Sequence, residues 1–115
     1  MNNELIYKIL PRGEWEAAEA VGRFRGSGID LQDGYIHLST RQQVEETAER
    51  YFRGQRDLLL LAVAAERLGD SLRYEPSRHG QLFPHVYGDI PVEAVTRVHP
   101  LELNDDETVR FPEEY

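Results

Sequence analysis

Leu58-Leu59-Leu60-Leu61-Ala62-Val63 is an apolar run without alternation, and it follows a glycine, Gly54, and a segment of helical spacing. A strand with one wet face alternates, so an unbroken run predicts a strand covered on both faces and central to its sheet. A chain of 115 residues, 40% hydrophobic and 30% charged, has the composition of a globular protein and the length for one domain with one core. The apolar stretch, extended to Ala65, is far too short to span a bilayer. Met1-Asn2-Asn3-Glu4 has no basic region leading into an apolar one. Neither export nor membrane anchoring is expected, and a cytoplasmic location is.

The chain has no cysteine, which removes disulfides, zinc–thiolate sites and cysteine nucleophiles. That fits a reducing cytosol. A net charge of −8 repels phosphate backbones at long range, so nucleic acid is not an expected partner. A local pocket for one small phosphorylated ligand remains compatible with it.

Leu5 to Leu10 reads as a first strand, and Pro11-Arg12-Gly13 breaks it and opens a helix over about residues 12–22, with Trp15, Ala18 and Val21 at helical spacing and Gly22 as the stop. Gly26-Ser27-Gly28 and Asp33-Gly34 bracket a connecting loop. Tyr35-Ile36-His37-Leu38 is a short strand running into Ser39-Thr40 and a second helix over about 41–53, where Thr40 and Gln43 have the form of a capping box. Leu72 to Glu75 is an alternating strand, and Pro76 to Gly80 reads as a mobile loop. Leu82 to Tyr87 is a strand that Pro84 assigns to an edge or bulge. One helical turn is expected in Asp89 to Val95, then a last strand from Thr96 to Leu103. The domain is thus read as 1–103, with 104–115 a loosely held acidic tail.

Among the four histidines, His37, His79, His85 and His99, no spacing matches a metal signature, and no metal is expected. His37 is the most informative. Alternation sends Ile36 and Leu38 to one face and Tyr35, His37 and Ser39 to the other. Ser39 and Thr40 would then lie at a helix N-terminus, whose free N–H groups suit an anion. The same residues also fit a purely architectural role: Thr40 as cap, Ser39 solvating the turn, His37 hydrogen-bonded within the sheet. Phe83-Pro84-His85-Val86-Tyr87-Gly88 has the composition of a pocket wall, although Phe83 also suits a core. Glu75 and Arg73 could reach that cleft or pair with each other at the surface. Dinucleotide, phosphate-loop and nucleophile-elbow signatures are absent.

From Ile6-Tyr7-Lys8-Ile9 through Tyr35 to Thr40 and on to Phe83-Pro84-His85-Val86-Tyr87-Gly88, the chain resembles a bacterial family known as domain of unknown function 952. The same blocks resemble, more distantly, the RNA 2′-phosphotransferases of the ADP-ribosyltransferase fold. Tyr7 to Leu10, Tyr35 to Thr40, Leu58 to Val63 and Asp89-Ile90-Pro91 follow the order of that group's strands. The resemblance implies an α+β fold with a split, curved, mixed β core, two main flanking helices, and an NAD-like cleft.

It also implies roles. His37 would hold a ribose hydroxyl or phosphate, Ser39 and Thr40 the neighbouring sugar or anion, and Tyr87 a planar ring, with Tyr35 and Arg73 also in contact with the ligand. Lys8 would supply positive charge, His85 acid–base chemistry, and Glu75 a carboxylate that polarises a ribose. Lys8 replaces a histidine of the larger group, which weakens the case for NAD chemistry. The implied ligand is NAD, a related nucleotide or a small phosphorylated molecule, bound or processed in a transfer reaction. The alternative is a non-catalytic module that senses a metabolite or binds protein, or a second copy of itself, through an edge strand at Phe83 to Tyr87.

Overall fold

A computed structural model describes residues 4–115. Its main sheet has the order β1 (Leu5–Pro11), β4 (Leu58–Ala64), β8 (Val95–Leu103), β9 (Val109–Arg110). Every residue of β4 is buried, as the apolar run predicts. Alternate residues of β4 feed two cores. Leu59, Leu61 and Val63 pack with Ile6, Leu10, Trp15, Phe24, Ile36 and Val86 on one side. Leu58, Leu60 and Ala62 pack with Tyr7, Ile9, Val44, Ala48 and Leu101 on the other. Two clusters on one sheet thus replace the single core expected. The period of two is present in β4, but both faces are dry, so the sequence does not show it.

Helix α1 (Arg12–Val21) starts after Pro11 and ends at Gly22, whose φ of 89° lies in the left-handed region that glycine enters without strain. It buries Trp15 and Ala18, while Val21 faces solvent. A second helix, α2 (Gly28–Asp33), occupies the segment read as a loop. Its capping box joins Ser27 to Asp30, an acid three residues on where the usual signature has Glu or Gln. Helix α3 (Val44–Tyr51) begins later than expected. Only half of the Thr40–Gln43 box forms, with Gln43 Oε1 accepting the Thr40 N–H at 3.0 Å.

A second sheet has the order β3 (Ile36–His37), β6 (Leu82–Val86), β5 (Leu72–Pro76). A two-stranded ladder joins β2 (Arg23–Phe24) to β7 (Ile90–Pro91), and the expected single turn is the 3-10 segment Val92–Ala94. All of these ladders are antiparallel, so the architecture is α+β but its sheets are not mixed. Nor is β6 an edge. It lies between β3 and β5, and Pro84 fits there because β3 ends beside it: the Pro84 carbonyl accepts the Leu38 N–H, and no ladder bond requires a proline N–H. Pairing with another chain through Phe83 to Tyr87 is therefore closed off.

The chain beyond Asn104 also departs from expectation. It turns back as β9, and Phe111 and Tyr115 pack on the second core, with the Tyr115 ring edge-on to Tyr7 at 5.5 Å. The acidic residues are numerous, but the few apolar ones in this segment anchor it. Among the described residues no helix is long and apolar enough to cross a membrane.

Candidate active site

The two sheets touch at one bridge, where Tyr7 and Ser39 exchange backbone hydrogen bonds of 2.8 and 2.9 Å. Around this junction opens a cleft of about 740 Å³, lined by β1 (Tyr7, Lys8, Ile9), β3 (His37), the following turn (Leu38, Ser39), α3 (Val44, Thr47, Tyr51) and Ser77, Arg78, Phe83 and His85. The volume is within the range of small-molecule sites. Of the residues singled out from sequence, Lys8, His37, Ser39 and His85 line it. Tyr35 lines a smaller hollow of about 210 Å³, and Thr40, Arg73, Glu75 and Tyr87 line neither.

The register of the second sheet puts His37 opposite His85, and His85 opposite Arg73. The His37 and His85 rings lie 5.4 Å apart, centre to centre. Tyr35 packs against His37, His85 and Tyr87 at 4.6, 4.4 and 5.1 Å. Arg73 sits over the Tyr87 ring at 5.0 Å. Tyr35, Tyr87 and Arg73 thus support the histidines from outside the cleft.

His37 is engaged at both ring nitrogens: Nδ1 lies 2.7 Å from Asp30 Oδ1 and Nε2 lies 3.1 Å from Asp33 Oδ2. Asp30 is buried and accepts from the His37 N–H, the Ser27 N–H and Lys8 Nζ as well. Burial alone would raise its pKa, yet the His37 hydrogen bond and the Lys8 charge outweigh burial and bring it down from 3.8 to about 2. Lys8 moves the other way. Its ammonium, bound to Asp30 at 2.8 Å and to the His37 carbonyl at 3.0 Å, is lowered because burial outweighs the carboxylate's attraction. Its charge is spent inside the protein rather than offered to a ligand.

His85 differs. Nδ1 lies 2.7 Å from Glu75 Oε1, which also accepts from the Tyr87 hydroxyl at 2.8 Å. These two hydrogen bonds, that of His85 first, lower the Glu75 pKa, so Glu75 is an ionised acceptor and Nδ1 must be the donor. Nε2 has no partner among the described residues. Glu75 and Tyr87 therefore act through His85, which lines the cleft, and fix the tautomer in which Nδ1 carries the proton.

The expected anion site at a helix N-terminus is not formed by Ser39 and Thr40. Helix α3 starts beyond them, and their N–H groups are taken by the Tyr7 carbonyl and Gln43. The Ser39 side chain still reaches the cleft, bonded to Thr47 Oγ1 at 2.9 Å. Sequence reading missed Asp30, Thr47 and Arg78. The Ser27–Asp30 spacing was a legible cap signal, whereas nothing local marks Thr47 or Arg78. Pro76 to Gly80, read as mobile, is a closed turn in which Gly80 N bonds Ser77 O and Ser77 N bonds Gln81 O.

Fold and site together define a compact antiparallel α+β domain with a histidine-bearing cleft at the junction of two sheets. The chain belongs to the family described as "Protein of unknown function (DUF952)", whose profile matches residues 9–98. It is similar to protein CC0527 from Caulobacter crescentus. The crystal structure of that protein has 55% identity and a TM-score of 0.90, over 92% of this chain and 93% of that one. Its solution NMR structure has 56% identity and a TM-score of 0.80, over 90% and 89%. No curated protein matches the chain significantly.

Proposed function

We propose that the cleft binds a small phosphorylated or nucleotide-like molecule and that His85 moves a proton in its transformation. The observation that carries this reading is the His85 tautomer: Nδ1–H held by Glu75, Nε2 unengaged in a concave site. In the neutral ring Nε2 is a lone pair, able to take a proton from a hydroxyl or water as it attacks and to return it to the leaving oxygen. Tyr7, Tyr51, Phe52 and Phe83 offer apolar and aromatic walls for a ring.

A relationship to the ADP-ribosyltransferase fold belongs to the same proposal. The strand order and the split of the β core at Tyr7–Ser39 support it. The pairing of Lys8 with Asp30 weighs against NAD as the reacting partner, because the ammonium is not free to meet a ribose. It favours binding without ADP-ribosyl transfer.

The test is a thermal-shift panel of nucleotides, ADP-ribose and sugar phosphates on the wild type and His85→Asn. Ligands that bind the native state raise its melting temperature, and phosphorus NMR then follows turnover. At least one compound is expected to stabilise both proteins and to be converted only by the wild type. A panel that stabilises neither protein, or turnover that survives in His85→Asn, would refute the proposal.

A further inference from the structure

We infer that Arg78 is the anion receptor of the cleft and takes a phosphate group of the ligand together with the hydroxyl of Thr47, which Ser39 orients. The inference deepens the preceding reading and rests on the cleft being a ligand site. A buried cation needs an acceptor for each of its donors, or it remains poorly solvated. The Arg78 side chain is only 11% exposed. Among the described residues its one hydrogen bond is a long one, from Nη2 to Thr47 Oγ1 at 3.3 Å. Its nearest carboxylate oxygen, on Glu46, is 3.9 Å away, and that residue is bound more closely by Arg50, at 3.1 Å. Nε is buried and has no acceptor among the described residues.

The other charged groups of the cleft are spoken for. Lys8 is held by Asp30, and Glu14 accepts the Ser27 hydroxyl. Arg78 is thus the cation whose donors are left over, and aromatic rings rather than carboxylates surround it: Phe83 at 4.9 Å and Tyr51 at 5.8 Å. Such rings hold the guanidinium plane without neutralising it.

The hydroxyls beside it complete an acceptor-poor cradle. Thr47 Oγ1 receives the Arg78 bond and lies 2.9 Å from Ser39 Oγ. With Ser39 as the donor to Thr47, Thr47 keeps its own proton for a ligand oxygen. A fork of N–H donors beside a hydroxyl donor matches phosphate, whose oxygens accept in several directions. The turn that carries Arg78 is tied to α3: His79, at φ 58° in the left-handed region, places its Nε2 2.9 Å from Arg50 Nη2.

The experiment is proton–nitrogen NMR of the labelled wild type, reading the arginine Nε–H signals and the backbone amides of Ser39, Thr47 and Ser77. Inorganic phosphate and acetate are titrated at constant ionic strength. Phosphate should shift the Arg78 Nε–H signal and these amides saturably, and acetate should do so at least tenfold more weakly. Arg78→Gln and Thr47→Val, checked for folding by circular dichroism, should each weaken phosphate binding, the former at least tenfold. His85→Asn should leave it within about twofold. Phosphate that shifts none of these signals, or an affinity unchanged in a folded Arg78→Gln, would overturn the inference. The two readings fail separately. A nucleotide that binds and turns over with Arg78 silent removes the receptor alone, whereas saturable phosphate binding at Arg78 with no ligand converted keeps the receptor and removes the His85 chemistry.

Discussion

Replacing Asp30 with Asn should be among the most damaging conservative changes in this chain. Donors face both carboxylate oxygens: the His37 N–H and Nδ1 at Oδ1, and Lys8 Nζ and the Ser27 N–H at Oδ2. An amide has one acceptor oxygen, so whichever way it turns, its NH2 group meets donors. The lowering of the Asp30 pKa from 3.8 to about 2 corresponds to about 2 kcal/mol of native-state stabilisation at neutral pH. Breaking the buried pair adds the cost of the Lys8 ammonium left behind, for a total of about 3–5 kcal/mol. At about 4 °C per kcal/mol for a chain of this size, the melting temperature should fall by on the order of 12–20 °C.

The stabilisation belongs to the carboxylate. The lowered Lys8 pKa means that folding disfavours its charge, so Lys8→Met combined with Asp30→Asn should recover part of the loss. Because the folded-state pKa of Asp30 is depressed, its contribution is fully present above about pH 4 and is lost as the pH falls toward 2. Urea unfolding of the four proteins across that range is the assay. An Asp30→Asn loss below about 1 kcal/mol, additive single effects, or an acid limb as steep in Asp30→Asn as in the wild type would refute the reasoning.

Gly26→Ala should destabilise by about 1–3 kcal/mol, because its φ is +120° and a Cβ there would lie 2.9 Å from Asp30 Cβ; an unchanged urea midpoint would show that the α2 entry is not constrained as described. Tyr115→Ala removes the ring edge on Tyr7 and the guanidinium of Arg41, 3.7 Å over its own ring. It should cost about 1 kcal/mol and expose the segment after Leu103 to limited proteolysis, and unchanged digestion would refute the anchoring.

The main elements were legible where local pattern and final environment agree. Leu58 to Val63 announced a strand dry on both faces, and Ile36–Leu38 against Tyr35–His37–Ser39 announced the two faces of β3. Misreadings arose where partners come from far along the chain. A proline lacks a ladder donor and so points to an edge or a bulge, but Pro84 lies in a central strand because β3 stops beside it. The acidic composition after Asn104 concealed Phe111 and Tyr115, whose burial depends on Tyr7 and the second core. Helix α2 was missed because glycine and aspartate read as turn formers until the Ser27–Asp30 cap is seen closing on itself. Lys8 is expected from the resemblance to bring positive charge to the cleft, and its pairing with Asp30 is not legible because that residue lies 22 positions on.

The difference between the two histidines shows why sequence could point to the cleft without assigning the chemistry within it. His37 and His85 are partners in register, near each other at the cleft, and each has Nδ1 2.7 Å from a carboxylate oxygen. Only the second ring nitrogen separates them. Asp33, at the end of α2, takes Nε2 of His37, so both of its nitrogens serve the architecture that joins α2, β1 and β3. Among the described residues none hydrogen-bonds Nε2 of His85. Its carboxylate comes instead from β5, on the far side of β6, where Glu75 remains 33% exposed and hydrogen-bonded to Tyr87. A histidine whose two nitrogens are both engaged orients structure, whereas one held from a single side keeps a lone pair for a ligand, and which of the two a residue becomes is decided by carboxylates that the fold brings from other elements.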